Sequence, residues 1–282
     1  MNDALITAIA TALLVFVGLV QAWILSSQKR QVRLQLITEY RKRWQDSYED
    51  WAKVVFIGHG PTEFYQIVDE ASAKILQDKI QSSGMSGPTI WALDSIRSAC
   101  GVMSDVSMRI VQGQLHISDV YPVFGTELLR HSRPLRKILD SDYRDDYFDE
   151  QLSPEHSKVR NELQDWLIYH DGSRRRCLIL LDLLWAEATR LEDLPPSDIR
   201  SAAEAKMKTG YINRTRVFRE AIRLNGVVYI FMAWRLSRFL CRAEYKSQWN
   251  RLGIDRRRLD ILESAWTERL LRNHQIQSSH NQ

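Results

Sequence analysis

From Ala4 to Gln28 the chain carries no charged residue, and the run Ala4–Leu25 is 22 residues rich in Leu, Val, Ile and Ala. At ~1.5 Å per residue a helix of that length reaches roughly 33 Å, enough for a ~30 Å hydrocarbon core. A cleaved signal peptide would have a basic start, a shorter core and a small-residue cleavage site. Here the start is Met1-Asn2-Asp3 and no A-x-A closes the run, so the pattern predicts an uncleaved transmembrane anchor. Thr7 and Thr11 form a small-residue pair that packs locally or seats a second span.

Beyond the apolar run the period changes. Ile37, Tyr40, Trp44, Tyr48, Trp51 and Val55 recur at helical spacing, which puts them on one stripe. The spacing predicts a helix that leaves the membrane and stops at the breaker Gly58-His59-Gly60-Pro61. Tyr40, Trp44, Tyr48 and Trp51 are its expected interface, against the body or a second copy. A second helix is expected from Thr62 or Glu63 to about Gln81, then a loop Ser82–Pro88. A third carries Leu93, Ile96, Cys100, Met103, Val106 and Ile110 and ends at Gly113. Ser118 or Asp119 caps a fourth, with Pro122 in its first turn, where a missing N–H costs little.

The acidic segment Asp140–Glu150 lacks the central Gly and the spacing of a calcium loop and reads as a solvated connection. Ser153-Pro154 opens the next helix, which ends near His170-Asp171-Gly172. The almost wholly apolar run Cys177–Trp185 is too short to span a bilayer and predicts the most buried helix. Further helices are expected from Asp198 to about Lys208, from near Thr215, and from Arg256 to Arg272. In the second of these, Gly226–Trp234 is apolar, but Arg235, Arg238 and Arg242 follow on one face. Arg costs ~2.5–3.5 kcal/mol at a bilayer centre, so a core helix that turns amphipathic, within the body or lying at the inner leaflet, is expected there, not a second span. No period-two strand occurs. The pattern predicts an all-α, bundle-like cytoplasmic domain of seven or eight helices on one N-terminal transmembrane helix. Its segments are an anchor at 1–28, a basic-aromatic stalk at 29–60, a helical domain at 61–273 and a disordered tail at 274–282.

Charge orients this layout. Nothing basic precedes the span except the amino terminus, whereas Lys29, Arg30 and Arg33 follow it, so the body is expected in the cytoplasm with the N-terminus outside. Those three bases also suit anionic head groups. The chain has 39 Lys+Arg against 35 Asp+Glu, and the acids are scattered among the bases, which argues against nucleic acid as partner. The three Cys have no metal spacing and suit a reducing compartment. Among the seven His there is no H-E-x-x-H. Arg160 precedes His170 by ten positions and Arg272 precedes His280 by eight, both outside the R-x4–6-H spacing of a helical ribonuclease. Walker, G-x-G-x-x-G and G-x-S-x-G motifs are missing, so neither a cofactor nor a catalytic residue is assigned.

The remaining candidate is Ser173 with Arg174, Arg175 and Arg176, ahead of the buried run. Cations at a helix N-terminus oppose its dipole. They are expected to be solvated, to pair with Asp140–Glu150, or to hold a phosphate or lipid head group with the free helix N–H groups. In that last case, changing all three to Gln weakens anion binding and leaves the fold intact.

The string VRLQLITEYRKRWQDSYEDW, ending at Trp51, follows the span. ALDSIRSACGVMSDVSMRIVQGQLHISDVYPVFGTELLRHSRPLRKIL, from Ala92 to Leu139, follows later, with its Gly113-Gln114-Leu115 turn and Phe124-Gly125 step. Over about residues 5–140 this pairing resembles the uncharacterised bacterial domain of unknown function 4760 family. The resemblance implies one anchor, a stalk helix and a helix pair, and assigns no activity. A binding or scaffold role at the membrane, self-association included, is the leading expectation, with use as a sensor or effector in stress or phage defence compatible with it. The alternative is an enzyme acting on a phosphorylated cytosolic ligand, which needs a polar pocket.

Overall fold

The computed structural model describes residues 2–58, 74, 75, 78, 86–140, 154–246 and 252–280. Most of the expected second helix and of the loop after it, the acidic segment beyond Asp140 and the Ser153 cap lie outside the described residues. The chain divides into two compact units, Met1–Arg43 and Trp44–Gln282.

The first unit belongs to α1 (Asn2–Asp46). This helix is long and apolar enough to cross a membrane, and none of its apolar window is buried. Phe16, Leu19 and Trp23 are all exposed. Tyr40 is buried and the Arg43 guanidinium lies over its ring at 5.3 Å.

In the second unit the helices are α2 (Tyr48–Gly58), α3 (Ser86–Val111), α4 (Ile117–Arg130), α5 (Ser132–Leu139), α6 (Pro154–Tyr169), α7 (Asp171–Leu191), α8 (Pro196–Asn225), α9 (Ile230–Phe239) and α10 (Arg256–His280). The described residues contain no strand, only an isolated bridge between Tyr245 and Ile254. The all-α expectation therefore holds. α7 packs on α3, α4 and α8, and α2 packs on α3 and α5. From Cys177 to Ala188 α7 is buried except at Trp185, as its apolar run predicts. Ile96, Met103 and Val106 of α3 are buried as well.

Several boundaries differ from expectation. The stalk does not run unbroken to Gly58. Ser47 breaks it, with its N–H and Oγ both donating to the Trp44 carbonyl at 3.1 and 3.0 Å. α4 is capped at His116, whose N–H donates to the Asp119 carboxylate at 3.3 Å, so Pro122 falls one turn deeper than expected. α7 starts at Asp171, before the arginines, because Asp171 suits the positive end of a helix.

The largest difference is α8, which runs on through Thr209-Gly210 where a break was expected. Gly210 serves close approach there: a Cβ on it would collide with the Glu244 carboxylate. The real break is Gly226, at φ +80°, a left-handed conformation that glycine adopts without strain. A 3₁₀ turn, Val227–Tyr229, then leads into α9. At the other end, α10 continues to His280 through residues expected to be a tail.

Candidate functional site

The arginine triplet was the main site expected from sequence, and each member has partners on this chain. Asp171, one turn back, accepts from Arg174 at 2.9 Å and from Arg175. Arg175 Nε also donates to Glu220 of α8 at 2.9 Å. Arg176 Nε donates to Ser104 Oγ of α3 at 2.7 Å, and its Nη1 is 3.6 Å from Glu220. Arg223 completes the group with two bonds to Glu220, at 3.0 and 2.6 Å. Burial pushes the Asp171 and Glu220 carboxyls up, but the adjoining guanidiniums outweigh it and hold both below the usual range. The offset to an unfavourable helix dipole is thus Asp171 and Glu220. A phosphate at this place has two carboxylates to displace. Ser173 lies in the first turn of α7.

Two turns along α7 is a residue that sequence reasoning missed. Asp182 is fully buried, and Arg136 of α5 donates to it at 2.7 Å. Lys206 of α8 donates to the same oxygen, and Arg216 is 3.6 Å from the other. Burial raises the Asp182 carboxyl, and the three cations overcome that and bring it down to about 2. Burial also dominates at Lys206, where even Asp182 leaves the ammonium lowered to about 8. The signal was present: Asp182 is the single acid in Cys177–Trp185, and an acid in a buried helix needs partners.

Together these groups form an ionic seam between α7 and α8, in which Arg175 meets Glu220 and Asp182 meets Lys206 and Arg216. Farther along, Glu187 is buried and takes both bonds from Arg190, at 2.7 and 2.6 Å.

A cavity of about 260 Å³ lies where the end of α7 meets α8, α10 and the turn after α9. Arg190, Glu192, Arg242, Arg258 and Leu259 line it. Arg258 is bidentate on Glu192, at 3.1 and 3.0 Å. Arg242 Nε is buried with no hydrogen-bond partner among the described residues, and its guanidinium lies 5.4 Å over Phe239. The cavity is below the ~300–1,000 Å³ usual for small-molecule sites.

The expected interface residues divide. Trp44 and Trp51 are buried within the second unit. Their rings are 5.1 Å apart, with Phe124 at 5.6 Å from Trp44 and His131 at 6.1 Å from Trp51. Trp44 Nε1 donates to Glu127 at 3.1 Å. Tyr48 is 46% exposed, because the break at Ser47 turns it off the stripe. Of the membrane-surface bases, Lys29 and Arg30 are exposed and Arg33 is half-buried. Cys177 is wholly buried against Cys100; a hydrogen bond to that residue and burial push its thiol well above the usual range, as suits a structural cysteine. His170 stacks on Trp166 at 3.9 Å and directly precedes α7, and the neighbouring Asp171 pairs with the arginines. Among the described residues no group of three or more His, Cys, Asp or Glu is placed to hold a metal.

The chain matches no family model, no curated protein and no solved structure.

Proposed function

We propose that this protein is a membrane-anchored helical binding or scaffold body at the cytoplasmic face of a bacterial inner membrane. The observation that carries the reading is α1, whose charge-free apolar stretch is followed directly by Lys29, Arg30 and Arg33. The internal pairing of the arginine triplet and of Asp182 supports a structural use of the strongest charge clusters. The lipid bilayer with its anionic head groups is the first partner; a second copy or another membrane protein is the next. The likeness of the layout to the 4760 family rests on residues 32–51 and 92–139 and adds no residue role.

Labelling tests the topology. In a variant lacking the three native cysteines, a Cys in place of Asn2 should react with a membrane-impermeant thiol reagent in intact cells. One near the C-terminus should react only after lysis. The reverse pattern overturns the orientation, and protection of neither site overturns the anchor.

The second reading, an enzyme acting on a phosphorylated ligand, is favoured by one observation: the cavity with the unpartnered Arg242 Nε. Inorganic phosphate should then raise the melting temperature of the full chain in detergent, and Arg242→Gln should abolish the rise. No shift in the unsubstituted protein removes this reading.

A further inference from the structure

The α8–α9 corner presents a run of exposed apolar residues. Val227, Tyr229 and Ile230 are exposed, Val228 is 92% exposed and Phe231 is 71% exposed. No residue of the 3₁₀ turn is buried. The corner is held out by its own geometry. Gly226 turns the chain at positive φ, and α9 folds back on α8 through Ala233 and then Leu240, both buried. Phe231 and Trp234 are left outside, stacked with centroids 5.9 Å apart.

Charge says what covers this surface. No acid occurs between Glu220 and Glu244, whereas Arg223, Arg235, Arg238 and Arg242 all fall there. Arg235 and Arg238 are exposed and have no carboxylate partner among the described residues. The Arg238 guanidinium lies 5.0 Å over the Trp234 ring. An apolar tip, an aromatic pair and arginines behind it match the depth profile of a bilayer surface. Apolar side chains enter the acyl boundary, indole favours the interface, and guanidiniums on long stems reach phosphate. A protein partner would need its own acidic rim around an apolar socket; an anionic bilayer supplies both everywhere.

We propose that the turn Val227–Phe231, with Trp234 and the Arg235/Arg238 rim, docks peripherally into the head-group region of an anionic bilayer, as a membrane contact separate from α1. This rests on the anchor reading for its tether, which keeps the body close to lipid and lets a weak contact act at high local concentration. It differs from a second span: the arginines stay among the head groups, so their cost at the bilayer centre does not arise.

The full chain is reconstituted in vesicles of phosphatidylcholine and phosphatidylglycerol. An environment-sensitive fluorophore is attached to Val228→Cys in a Cys241→Ser background, Cys100 and Cys177 being buried. Val15→Cys in the anchor and Glu204→Cys on exposed α8 surface serve as references. Brominated lipid should quench the label at Val228→Cys by at least half as much as at Val15→Cys, and should leave Glu204→Cys unquenched. Adding Arg235→Gln and Arg238→Gln, both exposed and outside the core, should bring the Val228→Cys quenching down to the Glu204→Cys level. Quenching at Val15→Cys without quenching at Val228→Cys overturns the docking and leaves the anchor. Quenching at Val228→Cys alone overturns the anchor and leaves the docking. Disulfide dimers through Val228→Cys with no quenching overturn the proposal and give the face to a second copy.

Discussion

Asp182 shows how a single side chain sets conditions for its neighbours. Its carboxylate is the acceptor that three cations share, so Asp182→Asn strands Arg136, Lys206 and Arg216 in a dry place. Removing one partner of a buried charge group costs about 3–5 kcal/mol, and urea unfolding in detergent should show a loss of that order. The pH dependence has two signs. Because the folded Asp182 carboxyl lies near 2, below its ordinary 3.8, its contribution is present above about pH 4 and is lost as pH falls toward 2. Lys206 works the other way: with a folded value of about 8 against 10.5, the unfolded chain holds the extra proton between those values, so stability rises with pH across that window. Lys206→Met should remove the rise between pH 8 and 10.5, as read from melting curves of both proteins. At the tryptophan pair the cost is packing. Trp44→Ala with Trp51→Ala should lose at least ~3–5 kcal/mol, since both indoles are buried.

Among the elements, α7 and α8 decide most. The expectation that the arginine triplet can be neutralised without harm to the fold does not survive their pairing. Changing all three to Gln leaves Glu220, buried, with Arg223 alone. A loss of roughly 2–4 kcal/mol should follow, whereas Arg174→Gln alone, which loosens only the half-exposed Asp171 pair, should cost less than ~1 kcal/mol. Equal melting of triple variant and parent would show the seam to be idle. What the sequence made legible here was apolar periodicity: Cys177–Trp185 as a buried helix, and Ile96, Met103 and Val106 as one face. It did not show where charge would pair, because Arg175 and Glu220 are 45 positions apart and nothing local links them. Gly210 and Gly226 look alike as letters. One accommodates Glu244 inside a helix and the other turns the chain, and only tertiary neighbours tell them apart.

At the scale of the second unit, the buried face of α7 packs on α3, α4 and α8, and burial among the described residues falls off along α10. Residues 263–272 of α10 are all exposed, beyond the last packed position at Leu259 and Leu262. Ending the chain after Thr267 should therefore change unfolding by no more than ~0.5 kcal/mol, as for surface changes generally. Cutting before Leu259, which packs with Ile199, Ala203 and Ile254, should cost several-fold more. Denaturant curves of the two truncations separate these cases.

The tryptophan pair also has a meaning in time. Trp44 leaves the ribosome just behind a segment expected to enter the membrane, and its hydrogen-bond acceptor Glu127 follows 83 residues later. At about 5–20 residues per second of synthesis, that gap is roughly 4–17 s. For those seconds two indoles that end buried have no α4 to pack against. The tryptophan pair is thus the last part of its own cluster to be covered, and it closes only once α4 has been made.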